Sequence, residues 1–207
     1  ILWGNGRLLL GLVAAYERFE DPKVLAAARK LGSFYVNIVA PRFCDPAHMA
    51  EYRQEAWYAA SYVTCVFEGM EGLVRLYRVT HNPSYLKTAQ LMADFHEQFD
   101  TLPTGHAHGC LSQHTGLVLL YEETGDAKYL ERVTARWREA VSGGYVNPAG
   151  GILEKFWITG YDRDEGCAEA DWLRLNLLLW LNTGETKYLD MAERLLWNHY
   201  LANQWPT

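Results

Sequence analysis

No stretch of this chain is long and apolar enough to span a bilayer. Its uninterrupted apolar runs fall short of the ~18 residues a transmembrane helix requires, so no membrane partner is expected. Basic charge is scarce as well. Nineteen Lys and Arg stand against twenty-five Asp and Glu, and the resulting net charge of −6 excludes the basic stripe of a nucleic-acid binder. Cysteine is sparse: Cys44, Cys65, Cys110 and Cys167 are far apart, with no CxxC pair. They could pair in three ways, which leaves the redox compartment open. A chain of 207 residues can bury a sizeable core without bridges, and Cys167 is expected as a reduced thiol. An initiating methionine is missing too. The chain opens inside an apparent helix, "ILWGNGRLLLGLVAAY", and stops at "LANQWPT", so it is expected to be a fragment without its native N-terminus.

What the chain does have is aromatic and repetitive. Aromatic residues make up 14%, with eight Trp and thirteen Tyr, a surplus that suits either a large helical core or a ligand cleft. Four segments share a turn followed by Lys or Ser, an aromatic residue or Val, and Leu: "EDPKVLAAARKLGSF", "HNPSYLKTAQLMADF", "TGDAKYLERVTARW" and "TGETKYLDMAERLLW". Their leucines, Leu25, Leu86, Leu130 and Leu189, are 61, 44 and 59 residues apart, a spacing that fits one helical hairpin per repeat. These segments are amphipathic. Each follows a helix that is apolar nearly all round, such as "GRLLLGLVAAYERF" or "CAEADWLRLNLLLWLN". A helix apolar on every side is expected to be buried on every side.

The alternation predicts helices near 3–18, 21–39, 55–78, 83–99, 109–122, 127–141, 167–182 and 186–203. Inner and outer helices in turn describe an all-α fold, an α/α toroid of helical hairpins. About four hairpins are present, so the ring is expected to be incomplete and to form one domain over 1–207. An open helical solenoid uses the same hairpin physics.

In such a toroid the inner helices run the same way and their N-terminal ends share one face. Polar and aromatic groups recur there: Trp3 and Arg7; Trp57; His106, His108 and His114; then "DRDEGCAEADW", which loads Glu165, Cys167, Glu169 and Asp171 onto one helix start. One or two acids would serve the free N–H groups and the dipole of that helix. This many point to a pocket. The 25-residue loop "SGGYVNPAGGILEKFWITGYDRDEG" feeds it and brings Glu154. Two carboxylates facing a cleft are the usual requirement for glycoside hydrolysis. Glu165 is expected as the catalytic general acid/base, with Trp3, Arg7, Trp57, His106, His108, His114, Glu154 and Asp171 contacting a carbohydrate. The histidines could equally serve turns and caps, and their spacing is not that of an HExxH zinc protease.

Over "EGCAEADWLRLNLLLWLNTGETKYLDMAERLLWNHYLANQ" the sequence resembles the zinc- and cysteine-dependent β-L-arabinofuranosidases, a family of glycoside hydrolases built like the six-hairpin glycosidases. The resemblance rests on a Glu-x-Cys start, a T-G-D/E-x-x-Y turn and an E-R-x-L-x-N helix. It implies that Glu165 is the acid/base and Cys167 a zinc ligand, and that Glu154 of "GGILE" is a further ligand. It implies zinc as the cofactor of the complete protein. The family's remaining cysteines lie downstream in or near a β-domain, expected beyond Thr207. Two other function classes fit the same hairpins: a sugar epimerase using histidine acid–base chemistry, and a protein-binding helical scaffold.

Overall fold

A computed structural model describes residues 2–47, 66–99, 106–156 and 163–202. Its helices are α1 (Leu2–Phe19), α2 (Pro22–Phe34), α3 (Ala40–Phe43), α4 (Met70–Thr80), α5 (Pro83–His96), α6 (Ala107–Thr124), α7 (Ala127–Ser142), α8 (Gly166–Thr183) and α9 (Thr186–Leu195). A π-helical turn, Tyr35–Val39, joins α2 to α3, and another, Leu196–Tyr200, continues α9. Extended pairing among the described residues is limited to two isolated bridges, Val146 with Ile152 and His106 with Lys155. The alternation expected from the pattern is therefore present. The start of the helix expected at 55–78 lies outside the described residues.

The hairpin turns explain why the repeats share a sequence. At three of them a threonine ends one helix, donating its hydroxyl to the carbonyl four residues back and accepting the N–H two residues on. Thr80 does this with Leu76 and Asn82, Thr124 with Leu120 and Asp126, and Thr183 with Leu179 and Glu185. The residue between is left-handed: His81 at φ 54°, Gly125 at φ 69° and Gly184 at φ 72°. Glycine adopts that conformation without the Cβ clash, which accounts for the T-G-D and T-G-E form of the last two turns. The following helices are then capped from outside. Asp21 accepts from the Lys23 N–H and Asn82 from the Ser84 N–H, each with proline in the first helical position.

The chain forms two compact units. The first comprises 1–100 and 119–126, the second 101–118 and 127–207, so α6 contributes to both. In the first unit α1 packs on α2 and α4, and α4 on α5. Its core contains Leu9, Val13, Tyr35, Met70, Leu73, Leu76, Tyr85 and Met92. Close approach depends on glycine here: a Cβ on Gly32 would run into Leu76 and Tyr85, and one on Gly69 into the Tyr35 ring.

In the second unit α8 packs on α9. Trp172 lies stacked on Trp137 with ring centroids 6.2 Å apart, and Trp137 meets Tyr188 edge-on at 4.8 Å. Asn176 joins them, accepting from the Trp137 indole N–H at 2.7 Å and donating to the Trp172 carbonyl at 2.8 Å. A polar side chain in a core is tolerable when its bonds are made in this way. Of the inner helices, α6 is buried at every position from 111 to 120, as expected, whereas α1 and α8 each leave an apolar residue exposed. Leu8 of α1 and Leu181 of α8 are exposed.

Candidate active site

The site is built in the second unit by the segment that follows α7. Gly144, at φ 78°, turns the chain at the end of that helix. Residues 145–153 then form a narrow hairpin: the Leu153 N–H bonds to the Tyr145 carbonyl, the Asn147 N–H to the Gly151 carbonyl, and Val146 bridges Ile152. Asn147 closes its tip, its side-chain oxygen accepting from the N–H groups of Ala149 and Gly151. Glycine is required twice. Gly150 sits at φ 96° against the Leu195 backbone, and a Cβ on Gly151 would lie 2.8 Å from the His199 ring.

The outgoing arm is held on several sides. Ile152 donates its N–H to Glu169 Oε1 at 2.9 Å. The Glu154 N–H bonds to the Arg163 carbonyl at 3.0 Å, and the Glu154 carbonyl accepts from the Ala107 N–H at 2.9 Å. Glu154 is thereby fixed between the start of α6 and the approach to α8.

Two carboxylates meet one imidazole as a result. His106 Nε2 lies 3.3 Å from Glu165 Oε2 and 3.9 Å from Glu154 Oε1. The chosen donor atoms of His106, Glu154 and Glu165 all lie within 4.8 Å of one another. Cys167, on the first turn of α8, joins through Glu165, its thiol donating to Oε2 at 3.5 Å. Glu154 is buried and carries cations of its own, with Arg163 at 3.0 Å and Lys155 at 3.3 Å. Burial pushes the His106 imidazole below the usual histidine range, against the upward pull of Glu165 and Glu154. Its Nδ1 is buried without a hydrogen-bond partner. Burial also raises the Cys167 thiol, and the Glu165 carboxylate adds to that.

The other expected residues divide. His108 Nδ1 lies 2.6 Å from Asp171 Oδ2, and its ring stands 6.4 Å from that of His106. His114 is buried and lines a small apolar cavity with Cys110, Trp137, Phe156 and Trp172. Trp3 and Arg7 belong to the first unit, where Arg7 forms an ion pair with Glu68. Trp57 lies outside the described residues. None of Cys44, Cys110 and Cys167 is in a disulfide, and Cys65 falls outside the described residues.

A second polar group was not foreseen. His199 Nε2 lies 2.6 Å from Asp164 Oδ2 and 3.7 Å from Glu169 Oε1. Glu169 is fully buried, and desolvation pushes its carboxyl up to about 8 despite the Ile152 N–H. The acids stood out as part of the loaded helix start. The histidine, some thirty positions away, did not. Nor did Lys155 and Arg163, whose only signal was their place on either side of Glu154 in the long loop.

Comparison with known proteins identifies the fold and the family. The chain spans part of each similar structure. A GH76A α-1,6-mannanase from Salegentibacter sp. HEL1_6 superposes with TM-score 0.71 at 19% identity, over 94% of this chain and 59% of that one. A GH127 β-arabinofuranosidase gives TM-score 0.57 at 17% identity, over 97% of this chain and 45% of the other. A D-mannose isomerase gives 0.60 at 12%, over 96% and 75%. The fold is thus the α/α-hairpin fold of the six-hairpin glycosidases, and sugar-isomerising enzymes share it. No curated protein matches by sequence. Residues 2–207 match the family described as "Beta-L-arabinofuranosidase, GH127 catalytic domain", and the chain belongs to that family.

Proposed function

We propose that this chain is catalytic helical structure of a glycoside hydrolase acting on a glycan that carries L-arabinofuranose or a related sugar. The observation that carries this reading is the meeting of Glu154 and Glu165 at His106 Nε2, with Cys167 on the same Glu165 oxygen. An epimerase would rely on paired histidines without a carboxylate pair, and a scaffold would need neither. The donor set also suits zinc, which takes thiolate sulfur at about 2.3 Å and imidazole nitrogen or carboxylate oxygen at about 2.0–2.2 Å in tetrahedral geometry. Those bond lengths imply ligand-to-ligand edges of roughly 3.3–3.8 Å. The His106–Glu165 and Cys167–Glu165 separations, 3.3 and 3.5 Å, match that range. A histidine whose proton affinity is lowered by burial is a better metal ligand at neutral pH, because the metal needs the neutral ring.

The two carboxylates then divide the work. An inverting pair needs about 6.5–9.5 Å for a water between its members, and these donor atoms lie within 4.8 Å. They do not act as opposed acid and base. Cys167 and His106 each approach Glu165 Oε2, so Glu165 is the carboxylate that would hold the metal with Cys167, while the donors that mutually lie within 4.8 Å are those of His106, Glu154 and Glu165. Bound zinc would supply Lewis acidity and keep the thiol ionised. Glu154 is left to give a proton to the departing glycosidic oxygen and to recover one from the water that completes hydrolysis. His108 with Asp171 lines the same helix mouths and offers hydrogen bonds to sugar hydroxyls.

One observation favours the converse division. Arg163 and Lys155 both pair with Glu154, a setting that suits a ligand and would leave Glu165 as the acid. Two variants of the full-length protein separate the readings. Glu165→Gln is expected to lose bound zinc, while Glu154→Gln keeps zinc and loses turnover ~10²–10⁴-fold on substrates with poor leaving groups. Activated aryl arabinofuranosides should suffer much less. The opposite pattern of zinc loss establishes the converse division, and absence of hydrolysis of any arabinofuranoside or related glycoside by the wild type overturns the function.

A further inference from the structure

Asp164, Glu169 and His199 form a second group of potential ligands, separate in membership from the His106 group. Their donor atoms lie within 4.8 Å of one another. His199 Nε2 faces both carboxylates, 2.6 Å from Asp164 and 3.7 Å from Glu169. Despite these distances, Nε2 is buried and makes a hydrogen bond to neither carboxylate. Glu154 in the first group has Arg163 and Lys155 beside it, whereas neither Asp164 nor Glu169 has an Arg or Lys partner among the described residues.

Glu169 makes the shortage acute. Its side chain is 0% exposed; one oxygen accepts the Ile152 N–H, and the other, Oε2, is buried with no hydrogen-bond partner. A buried carboxylate oxygen left unsatisfied costs several kcal/mol in general, so native structures supply a proton, a donor or a cation. The surroundings are also shaped to hold the imidazole. The π-helical turn Leu196–Tyr200 presents His199, and the ring rests on the bare α-carbon of Gly151, where a Cβ would lie 2.8 Å from Nε2. Local π turns inside α-helices often mark functional positions.

We infer that Asp164, Glu169 and His199 bind a divalent transition-metal ion, zinc in class, at a site distinct from the one that includes Cys167. One imidazole nitrogen and two carboxylate oxygens form a donor set that zinc and cobalt accept, while magnesium prefers oxygen donors and retained waters. Three protein ligands leave one tetrahedral position. Asp164 is 23% exposed at the side chain, so that position opens toward water rather than toward the core. The ion would neutralise the two carboxylates and tie the Gly150–Glu154 arm, through Glu169, to α8 and the end of α9. Metal content of the second site is independent of whether the first site hydrolyses a sugar.

Cobalt distinguishes the two sites, because only a thiolate-ligated ion gives a strong sulfur-to-cobalt charge-transfer band. Metal-stripped full-length protein is titrated with Co²⁺ and the bound ion counted by dialysis and elemental analysis. The wild type is expected to bind one ion with the band and a second without it. His199→Gln and Asp164→Asn should each lose the band-silent ion and keep the band, with circular dichroism unchanged. Cys167→Ser should weaken the band and keep the His199-dependent ion. Should the first site prove not to bind metal, the wild type lacks the band but still shows the ion that His199→Gln removes. If both His199→Gln and Asp164→Asn bind as much cobalt as the wild type, the second site does not exist.

Discussion

The two units use the same hairpins and treat buried charge in opposite ways. In the first, charges are matched. Arg7 pairs with buried Glu68, Arg75 with Glu17, and Arg78 with both Glu122 and Glu123. Among its described residues no buried side-chain polar atom lacks a hydrogen bond. In the second, carboxylates converge on histidines, and His106 Nδ1, Glu169 Oε2 and Trp172 Nε1 are buried without partners. Charge that is fully matched rigidifies a fold; charge gathered with one sign in excess needs a ligand. The difference enters with the long loop after α7, which has no counterpart in the short Thr-centred turns.

The largest effect that could break this comparison is chemical. Replacing Glu154 by Gln in the full-length protein is expected to cut turnover by ~10²–10⁴-fold, as loss of a proton-transfer group does. Replacing Arg7 by Met should leave zinc content unchanged. It should cost about 3 kcal/mol in urea unfolding, because the cation paired with buried Glu68 is removed. A variant of Arg7 that lost the metal instead would erase the distinction between the units.

Glu169 sharpens the comparison through pH. Its carboxyl is raised in the folded state to about 8 from an ordinary 4.5, so between those values the folded protein holds a proton that the unfolded chain has released. Stability of the metal-free protein should therefore fall as pH rises through that window, by something on the order of 5 kcal/mol. Glu169→Gln should flatten the dependence, and added zinc should reverse much of the loss. Urea midpoints at about pH 4, 6 and 9 measure it, with the pH values chosen to bracket the window. The smallest effect belongs to the turns. Gly184→Ala places a Cβ at φ 72° and should cost about 1 kcal/mol of stability with no change in turnover or zinc.

Much of this was legible in the sequence. Thr124-Gly125-Asp126 and Thr183-Gly184-Glu185 are local devices, made of residues adjacent in the chain, so their pattern survives in one dimension. The amphipathic faces of α7 and α9 follow from period alone, with Tyr129, Val133, Trp137 and Ala140 buried on one and Tyr188, Met191, Ala192 and Leu195 on the other. His106, Glu165 and Cys167 were visible because helix starts are readable and parallel inner helices gather them. Lys155 and Arg163 were harder, since only backbone bonds across the loop decide that both face Glu154. His199 was hidden for another reason. The π turn at 196–200 adds a residue to the helical repeat and shifts its phase, so a period of 3.6 carried on from α9 misplaces the ring. Arg7 lies near the start of α1 in the first unit, and what that unit shows is its bond to Glu68.

The most direct test of the central claim, that a metal is held by Cys167 with Glu165 in the second unit, is X-ray absorption at the zinc edge on the full-length protein. The account predicts a shell containing sulfur at about 2.3 Å together with nitrogen or oxygen at about 2.0–2.1 Å, and a smaller sulfur contribution in Cys167→Ser. A wild-type spectrum with nitrogen and oxygen alone, or one unchanged by Cys167→Ser, would contradict it.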